Sequence, residues 1–139
     1  METVGRTEEA RTSRADRLLV VNRHSGRPGT VVLALDGELE HDTVAPLRDA
    51  LEENAAAVRV VVDCAGLRFC DSTGLNVLLR TRLRMLARGG HVDLAGLRPP
   101  VRRIFEITGA LQVFQVYEDA DAALADADAD TDTDTDTGD

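Results

Sequence analysis

The stretch Asp71-Ser72-Thr73-Gly74 holds residue types that could do chemistry: two hydroxyls beside a carboxylate, followed by a glycine. Directly after it, Leu75, Leu79, Leu83 and Leu86 recur at helical spacing, so the four residues stand at a helix start. Three uses fit such a group. As a cap, a Ser or Asp oxygen accepts a bond from one of the first helical N–H groups, which otherwise lack partners. As a nucleophile, Ser72 would need a base within hydrogen-bond reach, normally a His oriented by a carboxylate. His24, His41 and His91 are the only histidines; none lies in a motif, and the Gly-x-Ser-x-Gly elbow is missing. As a phosphate acceptor, Ser72 needs only exposure at the helix start. Asp71 would then orient its hydroxyl and Gly74 would leave room for a partner's backbone.

Other chemistries find less support. The chain has no lysine to reach a phosphate, and neither Gly66 nor Gly89-Gly90 belongs to a Walker A loop. Cys64 and Cys70 stand six positions apart with no His pair at ligand spacing, a poor zinc set. Buried free thiols are expected there. No cofactor, no metal and no enzymatic activity are expected.

The elements around this stretch follow from periodicity. Val58–Asp63 carries consecutive valines that suit a strand buried on both faces, and the helix from Ser72 runs to about Arg88, stopped by Gly89-Gly90. Before them, Leu18–Val21 and Val31–Leu35 form a hairpin around the turn signals Ser25-Gly26 and Pro28-Gly29. Thr43 is the expected N-cap of a helix to about Asn54, with Val44, Leu47 and Leu51 inward and Pro46 in its first turn. A strand–helix–strand order implies a right-handed crossover and a parallel pair. Downstream come a strand at His91–Ala95, a helix opened by Pro99-Pro100 and closed by Gly109, a strand at Val113–Tyr117 and a last turn or two from Asp119 to Leu124. Arg80, Arg84 and Arg88 share one face of the second helix, either a plain solvated face or an aid in docking an acidic partner.

The net charge of −9 belongs to one end of the chain. Glu118–Asp139 holds ten acidic residues and no basic one, whereas the residues before it balance fifteen acids against 16 arginines. The acidic balance therefore says little about the partners of the folded part. Residues 1–16 read as a disordered polar arm and 126–139, with its Asp-Ala and Asp-Thr repeats, as a disordered tail. Residues 17–125 remain as one domain. There is no apolar run of the ~20 residues that a membrane span requires. The first residues lack the apolar middle of a signal peptide, so a cytoplasmic location is expected.

Val60-Val61-Val62-Asp63, Leu67-Arg68-Phe69-Cys70 and Asp71-Ser72-Thr73-Gly74-Leu75 together resemble the signature of the STAS family, the bacterial anti-sigma factor antagonists and their relatives. That signature is a buried strand with an Asp, a short apolar loop, then Asp-Ser-Ser/Thr-Gly-Leu opening a helix. Upstream, Leu35-Asp36-Gly37-Glu38-Leu39-Glu40 followed by Thr43 resembles the family's Gly-Glu-Leu-Asp segment, with Glu40 where many members carry Asp. The likeness covers about Leu18 to Leu124.

The resemblance implies an α/β fold, a mixed and mostly parallel sheet of about five strands with three to four helices packed mainly on one face. It implies an anti-sigma factor antagonist that binds an anti-sigma factor with ATP-dependent serine kinase activity and so frees a sigma factor. Phosphorylation at Ser72, with Thr73 as the alternative acceptor, would switch it off. Glu38, Glu40, Asp71, Ser72, Thr73 and Gly74 would form the partner surface. No nucleic acid or membrane partner is expected, and a monomer or weak dimer is. The alternative is a STAS subunit of another assembly, a stress-sensing or lipid-transport complex.

Overall fold

The computed structural model describes residues 17–126. The arm at 1–16 and the tail at 127–139 lie outside the described residues. Within them the chain runs β1 (Leu18–Arg23), β2 (Thr30–Leu39), α1 (Ala45–Glu53), β3 (Arg59–Cys70), α2 (Ser72–Leu86), β4 (His91–Ala95), α3 (Pro99–Thr108), a 3-10 turn (Ala110–Gln112), β5 (Gln115–Tyr117) and α4 (Ala120–Ala125). The five strands form one sheet in the order β1-β2-β3-β4-β5. β1 and β2 pair antiparallel and every other pair is parallel, the mixed and mostly parallel sheet that was expected.

Alternation along the strands separates two faces. Leu33, Leu35, Val60, Val62 and Cys64 point to the face covered by α1, α2 and α3, where they meet Leu47, Leu51, Leu75, Leu78, Met85, Val101 and Phe105. Val32, Val61 and Ala95 point the other way, under Ala123 of α4. Among the described residues, three of the four helices thus share one face. α4 is fastened to the second face by a buried arginine: Arg59 donates from Nε to Asp93 Oδ2 (2.6 Å) and from Nη1 to the Ala123 carbonyl (3.0 Å), and its guanidinium lies 5.5 Å from the Tyr117 ring centre.

Several local expectations need correction. β2 and β3 run on to Leu39 and Cys70, past the expected ends at Leu35 and Asp63. Two register shifts, between Ala34 and Asp36 and between Gly37 and Glu38, each place an extra β3 residue opposite β2, so the ladder survives the irregular sequence. The expected loop Leu67–Cys70 is therefore paired strand. Gly37, at φ +124°, permits the path, since a side chain there would run into the Arg17 carbonyl. Thr43 is not a cap. Val44 takes that position without a side-chain bond, while the Thr43 hydroxyl donates to the Glu38 carbonyl (2.6 Å) and accepts the Glu40 N–H (2.9 Å), closing the turn before α1.

On α2 the buried stripe is Leu75, Leu78, Thr81 and Met85, not the leucine repeat read from the sequence. Leu83 and Leu86 are exposed at 61% and 41%. Gln115–Tyr117 is shorter than the expected last strand, because a 3-10 turn carries the chain in and Phe114 turns into the core against Phe105. Asp126, assigned to the tail from sequence, accepts the Tyr117 hydroxyl at 2.7 Å.

Candidate functional site

The extended β2 and β3 end side by side at the C-terminal edge of the parallel strands, where loops of open α/β sheets present their functional groups. Glu38 pairs with Phe69 and Leu39 with Cys70. The Asp71 N–H then donates to the Leu39 carbonyl at 3.0 Å, so the last rung of the ladder leads directly into α2.

Asp71 is the N-cap of α2. Its Oδ1 accepts the Gly74 N–H (3.1 Å), and its carbonyl accepts the Leu75 N–H (3.1 Å). Its Oδ2 accepts the backbone N–H of His41 (3.2 Å), in the turn that Thr43 closes. Both carboxylate oxygens thus serve backbone donors, so the expected orientation of the Ser72 hydroxyl by Asp71 is not what Asp71 does. Its position is to lock the β2–α1 turn onto the start of α2.

Ser72 is the first residue of α2 and is exposed. Among the described residues its hydroxyl has no hydrogen-bond partner. Thr73, next along, is half-buried, as are Glu38 and Glu40 on the β2 side. Gly74 is buried and faces inward: a side chain there would meet Leu39 Cγ and Cδ2 and lie 3.3 Å from Cys70 Sγ. The room expected for a partner's backbone at Gly74 is filled by Leu39. Glycine is required so that α2 can approach β2 closely.

Sequence reasoning missed Phe69. It is the ladder partner of Glu38, three residues before Ser72, and 47% of it is exposed. Read from sequence it falls in a short apolar loop, and only the pairing of the bulged end of β3 fixes it as an outward-facing strand residue. The exposed pair Arg68–Asp36 (3.5 Å) flanks it.

The two thiols lie beneath this edge. Burial pushes the Cys70 thiol up to about 12, with the nearby Asp71 charge adding to it, and burial raises Cys64 further, helped by Cys70 and Asp63. Both are free and buried, and both stay protonated. Among the described residues there is no cluster of three or more His, Cys, Asp or Glu able to hold a metal ion, and no helix long and apolar enough to cross a membrane. What the edge offers is an exposed hydroxyl at the positive end of a 15-residue helix, beside carboxylates and an exposed aromatic ring.

A family model described as "Mlab, STAS domain" matches residues 22–130. The anti-sigma F factor antagonist of Paenibacillus polymyxa is 28% identical over 99 residues, which span 69% of this chain and 85% of that protein. Among solved structures, the anti-sigma factor antagonist SpoIIAA in its unphosphorylated form aligns with a TM-score of 0.66 at 25% identity, over 76% of this chain and 93% of that one. The Bacillus cell fate determinant SpoIIAA in its phosphorylated form aligns with a TM-score of 0.63 at 24% identity, over 77% and 97%.

Proposed function

This chain belongs to the STAS domain family, and from that premise we propose that it is an anti-sigma factor antagonist switched by phosphorylation of Ser72. The observation that carries the reading is the exposed Ser72 hydroxyl, free of partners among the described residues, beside an Asp71 whose oxygens are both occupied. Such a hydroxyl reaches a kinase without disturbing the core. The name of the Paenibacillus polymyxa relative and the unphosphorylated form of SpoIIAA support it.

In this reading the unmodified edge, with Phe69 at its centre and Glu38, Glu40, Asp71 and Thr73 around it, binds an anti-sigma factor that is also an ATP-dependent serine kinase. That binding frees a sigma factor. In the transfer step the Ser72 oxygen attacks the γ-phosphorus of ATP, the bond to ADP breaks, and a base on the kinase takes the hydroxyl proton. The product carries about −1.5 to −2 charges and a tetrahedral group beside Asp71. Like charges brought together in an interface cost several kcal/mol, and each ~1.4 kcal/mol is tenfold in affinity. The helix N-terminus offsets roughly 0.3–1 kcal/mol of this, so the fold persists while binding fails. Thr73, half-buried, is the weaker acceptor.

The test is to incubate the full chain with an anti-sigma kinase and ATP and to locate the phosphate by mass spectrometry, with Ser72→Ala in parallel. Phosphate on Ser72 and loss of kinase binding are expected. Phosphate on Thr73 alone, or equal binding before and after modification, would overturn the switch. The second reading is a STAS subunit of another assembly, a stress-sensing or lipid-transport complex. Stable capture by such an assembly, without phosphate on Ser72, would select it.

A further inference from the structure

The Arg17 carbonyl accepts the Glu38 N–H (3.1 Å), and β1 keeps one register along β2, so Leu19, Val21 and Arg23 exchange their backbone bonds with Asp36, Ala34 and Val32. The alternate residues Leu18, Val20 and Asn22 then aim their N–H and C=O groups away from the sheet, and among the described residues no strand lies beside them. Such edges are commonly blunted by Lys, Pro, a bulge or shortness. β5, at the opposite edge, has only three residues. β1 has six, in an unshifted ladder, with no Lys or Pro and an apolar run from Leu18 to Val21. α4 covers Val32, Val61 and Ala95 but leaves this side open. Leu19 and Val21 are 50% and 44% exposed, over a groove of about 330 Å³ that Ala34 and the Arg23–Asp63 pair (3.6 Å) also line.

We propose that this edge pairs with β1 of a second copy, antiparallel about a two-fold axis at Val20. The strand fits itself in that register. Val20 stands opposite Val20 and Leu18 opposite Asn22 of the second copy, so the outward groups of all three residues find partners, in about six hydrogen bonds. An axis at Leu19 or Val21 would set Asn22 or Leu18 opposite a residue outside β1. On the open face Leu19 meets Val21 of the second copy, and Val21 its Leu19, at the close spacing of a non-bonded pair, ~4.5 Å between Cα atoms. The exposed apolar side chains thereby cover one another. A contact that is the same on both copies closes at two, and the joined sheet of about ten strands stays within the usual size. At each end Arg17 opposes Arg23 of the second copy, and like charges directly opposite weaken the pair. With one short strand from each side, the contact falls below the ~1,200 Å² of a stable interface, so the dimer is weak and exchanges with the monomer. β2 separates β1 from β3 and the helix that follows it, so α2 stays clear of the contact and the dimer does not depend on Ser72 being a phosphate acceptor.

The test follows the full chain by sedimentation velocity from about 1 μM to 1 mM, with amide hydrogen exchange measured at both ends of the range. A monomer–dimer equilibrium is expected. The amides of Leu18, Val20 and Asn22 should slow several-fold at the high concentration, while those of Leu19 and Val21, already bonded to β2, do not change. Val20→Pro removes the central donor of each copy without taking a bond from the monomer, and should weaken association at least about tenfold. Arg17→Gln, at an exposed position, relieves the like-charge contacts and should tighten association about two- to tenfold, so a variant that gains stands beside one that loses. A monomer throughout, or a dimer in which the three outward amides exchange as fast as in the monomer, overturns the proposal. Protection of those amides in the monomer would mean that the chain itself covers the edge, and a dimer unmoved by Val20→Pro and Arg17→Gln would mean another surface; both overturn it as well.

Discussion

The carboxylate of Asp71 holds the backbone N–H of His41, thirty residues earlier, at 3.2 Å, and with its other oxygen caps α2 at Gly74. One side chain therefore joins the β2–α1 turn to the helix that presents Ser72. Replacing Asp71 with Ala removes an N-cap worth about 0.5–2 kcal/mol. It also removes a charge-assisted bond worth up to ~1.5–3 kcal/mol, reduced here by its exposure. A loss of roughly 2 kcal/mol is expected in urea unfolding, together with faster hydrogen exchange at the His41 amide. Wild-type stability in Asp71→Ala would show that the link carries no load.

Much of this was legible because the signals are local. The valines of β3, Pro46 and Pro99-Pro100 at helix starts and Gly109 at a helix end each act within a turn or a strand, and the elements lie where they point. What the chain hid depends on contacts distant in sequence. The bulges that carry β3 to Cys70 exist only because β2 lies beside it, and they alone turn Phe69 outward. Leu83 and Leu86 fit a helical repeat as well as Leu78 and Met85 do, and only the direction of the sheet decides between them. Gly74 read as open space for a partner because nothing local announces that Leu39 fills it.

Phe69 should anchor the partner surface. Exposed aromatics at the centre of interfaces commonly account for more than 1 kcal/mol each, so Phe69→Ala should weaken binding of the unmodified chain to the anti-sigma factor proposed as its partner about tenfold or more. Because half the ring is already in water, the thermal midpoint should move by only a degree or two. Titration calorimetry beside a melting curve separates the two effects. Unchanged affinity would take Phe69 out of the interface.

The Cys70 thiol, raised from an ordinary value of 9.0 to about 12, sets a pH dependence. Between those values the unfolded chain has released a proton that the folded chain still binds. Stability is therefore fully retained below pH 9 and declines as pH rises toward 12, by about 1.4 kcal/mol per unit at most for this group. At pH 8 the native thiolate fraction is lower than that of the unfolded chain by roughly two to three orders of magnitude, and reaction with a disulfide reagent should slow accordingly. Labelling of native protein as fast as of denatured protein would contradict the buried position of Cys70.

Arg59 and Asp93 form a buried pair at 2.6 Å whose removal should be costly one partner at a time and cheaper together. Arg59→Met leaves the Asp93 carboxylate without its cation, and Asp93→Leu leaves a guanidinium that is fully buried. Each single change should cost about 3–5 kcal/mol, whereas the double change, which leaves neither charge behind, should recover a large part of that sum. Arg59→Met also removes the bond to the Ala123 carbonyl, so α4 should exchange its amide hydrogens faster than β3 does in the same variant. A double-mutant cycle by urea unfolding gives the coupling, expected to reach ~2 kcal/mol or more, and the exchange profile locates it. Strict additivity of the two changes would mean that α4 is held by the contacts of Ala123 and Tyr117 alone, and that the short Arg59–Asp93 contact adds no stability.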